Sequence, residues 1–173
     1  MRTNLSSQIS LNRVSPKYYK PETMVDRSVL TRFEKIPTNI FESIEEGVRT
    51  VAGEIVQKIQ EKQRDGQFCT LALGTGASLR PLFAELVRRH REEQVSFRNV
   101  VVFNLYEFYP LADGQGGSFQ QLQDLLVSQV DIDPQNVFTP SGKVAQEAVM
   151  EHCQLYEQRI KTFGGIDIVV LGI

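Results

Sequence analysis

Phe68-Cys69-Thr70-Leu71-Ala72-Leu73-Gly74-Thr75-Gly76-Ala77-Ser78-Leu79 is an uncharged run that breaks at a pair of spaced glycines. Its first six residues read as a buried β-strand, and Gly74 to Ser78 as a tight loop. Residues 79–91 then read as a helix with Leu82, Phe83, Leu86 and Val87 on one face. A glycine loop between a strand and a helix start is where backbone N–H groups converge and the helix dipole favours an anion. The glycines permit positive φ and close approach of a ligand. Thr75 and Ser78 add hydroxyls, and Arg80 falls in the first helical turn. Two familiar phosphate loops do not fit. A dinucleotide fingerprint needs glycine where Leu79 stands and an acid at the end of the next strand, which is Phe103-Asn104. A Walker loop needs Gly-Lys-Ser/Thr. The same local pattern is equally that of a turn that merely closes a βα unit.

Upstream, Ile40, Ile44, Val48, Val51, Ile55 and Ile59 recur at three- and four-residue steps, predicting an amphipathic helix. Thr38 or Asn39 is placed to cap it, Glu42, Glu45 and Glu46 suit its positive end, and Asp65-Gly66 marks its stop. Residues 1–37 have no sustained period and carry Pro16, Pro21 and Pro37, which predicts an extended arm with a short helix near 28–33. The arm is basic: residues 1–36 hold seven Lys/Arg against three Asp/Glu. Its positives are scattered singly, so it reads as a solvated arm or a contact to a partner subunit rather than a nucleic-acid binder.

Downstream, Val100-Val101-Val102-Phe103-Asn104 is a continuous apolar strand of the kind found in parallel sheets covered on both faces. Helices are expected at about 118–129 and 146–162, and Ile166-Asp167-Ile168-Val169-Val170-Leu171 as a further strand. Strand, helix, strand, helix, strand predicts an α/β domain over 38–173 with a Rossmann-like open, mainly parallel sheet flanked by helices. In such sheets the loops after the strand C-termini build the site. The segment Asn104-Leu105-Tyr106-Glu107-Phe108-Tyr109 occupies such a position and can contact a polar ligand, or equally pack its aromatics beneath itself.

The composition, 41% apolar and 23% charged, is that of a globular protein. No apolar run approaches the roughly 20 residues that span a bilayer, and no secretory leader follows Arg2, so no membrane association and a cytoplasmic location are expected. Cys69 and Cys153 read as two buried reduced thiols, and with His90 and His152 they lack zinc-ligand spacing; no metal is expected.

Taken together, these segments resemble the glucosamine-6-phosphate deaminase/isomerase family, related to 6-phosphogluconolactonases. The family's Leu-Pro-Thr-Gly-Gly-Thr-Pro loop corresponds to Leu73-Gly74-Thr75-Gly76-Ala77-Ser78-Leu79. Its Val-Ser-Phe-Lys-x-Val-Val run corresponds to Val95-Ser96-Phe97-Arg98-Asn99-Val100-Val101, and its Phe-Asn-Met-Asp-Glu-Tyr to Phe103-Asn104-Leu105-Tyr106-Glu107-Phe108. Ser118-Phe119, Val130-Asp131-Ile132, Asn136-Val137 and Ile168-Val169-Val170-Leu171-Gly172 fall on further family positions, in order, over roughly 40–173. The resemblance implies conversion of glucosamine 6-phosphate to fructose 6-phosphate and ammonia, without a redox cofactor. It implies Gly74, Thr75, Gly76, Ala77, Ser78 and Asn104 as substrate-binding, and Tyr106 and Glu107 as the residues at the catalytic position. It also implies a homo-oligomer.

Two departures bear on activity. The family's aspartate, the base between C2 and C1, is replaced by Tyr106. A phenol is a poor proton acceptor near neutrality, where a carboxylate is ionised. Glu107 is adjacent, but a neighbour in extended chain points the opposite way. The sequence also stops at Ile173, before the family's Gly-x-Gly-x-Asp-Gly-His loop. The expectation is an N-terminal portion, an incomplete domain, inactive alone. The alternatives are a non-catalytic sugar-phosphate-binding or regulatory module, and a 6-phosphogluconolactonase-like hydrolase.

Overall fold

The computed structural model describes residues 38–172, so the expected arm over 1–37 lies outside the described residues. The elements in chain order are α1 (Ile44–Arg64), β1 (Cys69–Leu73), α2 (Arg80–Glu93), β2 (Val100–Asn104), α3 (Ser118–Leu125), β3 (Val137–Phe138), α4 (Val149–Thr162) and β4 (Ile168–Val170). The chain divides into two units at Gly47 and Val48, and all four strands lie in the second.

The strands form one sheet in the order β3-β2-β1-β4, and every pairing is parallel. This is the α/β fold expected from the sequence. All five residues of β1 and all five of β2 are buried, as central strands covered on both faces must be. The side chains alternate between two layers. Cys69, Leu71, Leu73, Val100 and Val102 pack with Ile55 and Ile59 of α1, Phe83 and Leu86 of α2, and Leu122 of α3. Ala72, Val101 and Phe103 face the other way, against Phe138 and against Tyr156, Ile160 and Phe163 at the end of α4. Phe103 stacks on Phe138 at 5.0 Å and meets Tyr156 edge-on at 5.5 Å.

Several expectations are corrected. The helix α1 begins at Ile44, later than Thr38 or Asn39 as caps would place it. The Glu46 N–H instead bonds to Ser43 Oγ at 3.1 Å, and Glu46 Oε2 accepts the Glu42 N–H at 3.2 Å. Ser43 and Glu46 thus form a variant of the capping box, in which the Glu46 carboxylate takes the N–H one residue before the Ser43 cap, so that two donors at the helix start are satisfied. Ile40 and Ile44 are therefore exposed, and the buried stripe of α1 is Ala52, Ile55, Val56 and Ile59. The strand β3 has no counterpart in the sequence reading; two residues are too few to show a period. The expected helix over 118–129 is α3 followed by a separate 3-10 turn, Val127–Gln129. Cys69 is buried but Cys153 is exposed, since α4 buries little of its length.

Two carboxylates tie loops to the strand starts. Asp167 accepts the Thr70 N–H at 2.9 Å and pairs with Lys62 at 2.7 Å. Burial drives its pKa upward, but the Lys62 ammonium and the Thr70 N–H outweigh burial and hold it below the usual range. Asp131 accepts the Phe97 N–H at 2.6 Å and the Ser96 hydroxyl at 2.9 Å, and again these bonds outweigh burial and depress its pKa.

Candidate functional site

Parallel pairing brings Leu73 level with Asn104 on one side and with Val170 on the other. Three strands therefore end together, and the chain leaving each meets its neighbours there. The Gly74 N–H donates to the Val170 carbonyl at 3.0 Å, and the Leu105 N–H to the Leu73 carbonyl at 3.0 Å. Every site residue singled out from the sequence lies at this end of the sheet.

The loop itself divides in two. Gly74 and Thr75 are buried, whereas Ala77 and Ser78 are exposed. Gly76 joins the halves at φ 143°, a conformation that side chains rarely adopt and glycine adopts freely. Ala77–Leu79 then forms a 3-10 turn leading into α2, with the Leu79 N–H on the Gly76 carbonyl at 3.2 Å. This short turn delays α2 to Arg80 and leaves the Ala77 and Ser78 backbone on the outside.

Beneath the loop runs a buried polar network. Thr75 Oγ1 and Ser118 Oγ are 2.8 Å apart, and the Ser118 hydroxyl donates to Asn104 Oδ1 at 3.2 Å. Asn104 Nδ2 donates to the Tyr106 carbonyl at 2.9 Å and to Thr139 Oγ1 at 3.1 Å. The Asn104 carbonyl accepts the Tyr156 hydroxyl at 2.8 Å; burial pushes the pKa of that phenol well up. Asn104 and Ser118 are wholly buried, and each polar atom named is satisfied, as buried polar groups require. Asn104 thus braces the site from below, with its amide committed internally rather than open to a ligand.

Tyr106 turns back onto the loop. Its phenol oxygen accepts the Thr75 N–H at 3.2 Å, lies 3.2 Å from Thr75 Oγ1, and donates to the Thr75 carbonyl. Both polar handles of Thr75 that sequence reasoning offered to a ligand are engaged within the protein. Glu107 turns the other way, as alternation predicts. Its Oε1 accepts the Ser118 N–H at 2.7 Å and the Phe108 N–H at 2.9 Å, and its Oε2 accepts the Phe119 N–H at 3.0 Å. Glu107 is therefore the anchor of the α3 N-terminus, where a negative charge suits the helix dipole.

Ser118, Thr139 and Tyr156 are network members with no site role in the sequence reading, Ser118 having been matched only as a family position. Gly-Gly-Ser at 116–118 was a readable helix-start signal for the first. Thr139 follows a two-residue strand and Tyr156 sits mid-helix, so neither carried one. Among the described residues no three His, Cys, Asp or Glu side chains gather as a metal site would need, and no helix is long and apolar enough to cross a membrane. A cleft of about 480 Å³ opens at the far end of the sheet, lined among others by Lys62, Phe68, Phe163 and Asp167. It shares no residue with the loop.

An open parallel sheet with a glycine loop and a satisfied polar network at its strand ends places the domain in the α/β class, in which ligand sites lie outside the carboxyl ends of the strands. The sequence pattern of the glucosamine-6-phosphate isomerases/6-phosphogluconolactonases matches residues 42–173, and the chain belongs to that family. It is 58% identical, over its whole length, to 26% of a glucosamine-6-phosphate deaminase-like protein of Bacteroides thetaiotaomicron. Against glucosamine-6-phosphate deaminase 1 of Giardia intestinalis it is 34% identical over 69% of this chain and 44% of that one. Among solved structures it is similar to a monomeric glucosamine-6-phosphate deaminase, with TM-score 0.70 and 28% identity over 77% of this chain and 53% of that one. The 6-phosphogluconolactonase of Thermotoga maritima shares the fold, with TM-score 0.59 at 20% identity over 73% of this chain and 55% of that one. The chain thus spans between a quarter and about half the length of these relatives.

Proposed function

We propose that this chain forms the sugar-phosphate-holding part of a glucosamine-6-phosphate deaminase-like protein, and that its ligand is a phosphorylated amino sugar. The observation that carries the reading is the Gly74–Ser78 loop. It leaves the central strand β1, exposes Ala77 and Ser78 at the approach to α2, and rests on the Thr75-Ser118-Asn104 network. The phosphate is received by the loop backbone and the Ser78 hydroxyl, with the α2 dipole favouring its charge.

The catalytic position supports binding more than turnover. A base between C2 and C1 must accept a proton near neutrality. Tyr106 is a phenol that already donates its proton to the Thr75 carbonyl, and the Glu107 carboxylate is taken up by three backbone N–H groups. The chain therefore supplies recognition, with Glu107 as a positioning residue at the α3 N-terminus. The same reading places the protein in the cytoplasm, where sugar phosphates occur, and as an oligomer in its assembled form.

Calorimetric titration separates the possibilities. Glucosamine 6-phosphate is expected to bind and unphosphorylated glucosamine to bind far more weakly. Ser78→Ala should weaken the phosphate ester by about 1 kcal/mol or more, the loss of a hydrogen bond to a charged group. Equal affinity for both sugars, or no effect at Ser78, defeats the assignment of the loop.

A further inference from the structure

We infer that Tyr106 is a resident occupant of the anion position: its phenol oxygen holds the Thr75 N–H that a ligand oxygen would otherwise take, and so sets the affinity of the site for phosphate esters. This rests on the proposal that the Gly74–Ser78 loop receives a phosphate.

The geometry is specific to a phenol. One oxygen accepts from the Thr75 N–H at 3.2 Å and donates to the Thr75 carbonyl. A hydroxyl does both because it carries a donor and lone pairs; an ionised carboxylate accepts only. A carboxylate set at the same spot would face the Thr75 carbonyl with no proton to give it, and would turn away. The replacement of a carboxylate by Tyr106 thus does more than remove a base. It puts a side chain onto the loop's own backbone.

The two partners differ in how firmly they are held. Thr75 is 8% exposed, and its hydroxyl lies 2.8 Å from Ser118, which is itself wholly buried and bonded to Asn104. Tyr106 is 42% exposed, with its ring at the edge of the site. When an anion arrives, Tyr106 is therefore the member that leaves. Its departure requires only a side-chain rotation, a fast event for an exposed residue, while Thr75 stays aligned by the network below. Each ligand must displace the phenol, so the observed affinity is lower than the loop alone would give. A ligand that binds both states equally would shift nothing; only one that needs the Thr75 N–H opens the latch.

The test compares the chain with its Tyr106→Phe and Tyr106→Leu variants, using inorganic phosphate and glucosamine 6-phosphate as probes. Both variants lack the competing oxygen, so both are expected to bind each probe about twofold to tenfold more tightly, the range of one neutral hydrogen bond. The Thr75 amide should also exchange with solvent faster in the unliganded variants, and regain protection with phosphate. Wild-type affinity that equals or exceeds that of both variants overturns the latch and leaves the loop assignment standing. Absence of binding by all three proteins overturns the loop assignment, and the latch with it.

Discussion

Glu107 and Gly117 are fitted to each other closely enough that neither is replaceable alone. A Cβ on Gly117 would sit 2.6 Å from the Glu107 carboxyl carbon, in the space that lets Oε1 and Oε2 reach the Ser118 and Phe119 N–H groups. Glu107 cannot yield by rotation without abandoning the helix start it anchors. Gly117→Ala is therefore expected to cost about 1–3 kcal/mol, as overpacking does, read as a shift in the urea midpoint. In a Glu107→Ala background the same substitution should cost much less, because the clash and its cause disappear together. Additive costs in that double-mutant cycle would show that the two residues do not constrain each other. The pair also shows why site residues are only partly legible in sequence. Tyr106 and Glu107 were placed at the correct strand end, pointing opposite ways, from alternation alone. What each side chain meets depends on α3 and on the loop, which are distant in sequence, and no local pattern reports that.

The strands β1 and β2 were readable because burial on both faces forces a continuous apolar run. The helix α2 was readable because Leu82, Phe83, Leu86 and Val87 leave an unambiguous stripe. The start of α1 is not marked by the apolar period, which continues upstream of Ile44 to Ile40, beyond the point where hydrogen bonding supports a helix. Hydrophobic period alone does not mark a terminus; the Ser43–Glu46 box does. β3 was invisible because its pairing with β2 is decided by the sheet and not by its own two residues. The element-level placement of the cysteines gives a direct check. Cys69 lies inside β1, and burial first, then the nearby Asp167 carboxylate, pushes its thiol up to about 11; Cys153 lies on the exposed side of α4. A thiol reagent should therefore modify one cysteine in the native protein and a second only in denaturant. Two fast-reacting thiols under native conditions would contradict the placement of β1.

At the scale of the whole molecule, stability among the described residues draws on three partly buried carboxylates held in their charged form, Glu85, Asp131 and Asp167. Asp131 and Asp167 tie loops to strand starts, as above. Glu85 is lowered to about 2, mainly by its hydrogen bond to Arg88, with Arg89 adding to it and burial opposing. A depressed folded-state pKa stabilises the fold above the ordinary carboxylate value of about 4, and that contribution is lost as pH falls through the folded value. Unfolding free energy should accordingly be level from pH 7 to about pH 5 and fall steeply between about pH 4 and pH 2. A profile that stays level to pH 2 would mean that these bonds are absent in solution. Because the chain covers 26% of one relative and 44% of another, ammonia release belongs to tests on the longer proteins. The proposed recognition of the phosphate is tested on this chain.

The most direct test is an amide nuclear-magnetic-resonance titration with glucosamine 6-phosphate, set against unphosphorylated glucosamine. The Thr75, Gly76, Ala77 and Ser78 amides are expected to move first and furthest with the phosphate ester and to stay in place with the free sugar. Shifts that instead centre on the Lys62 and Asp167 cleft, or that appear equally with glucosamine, would contradict the loop assignment.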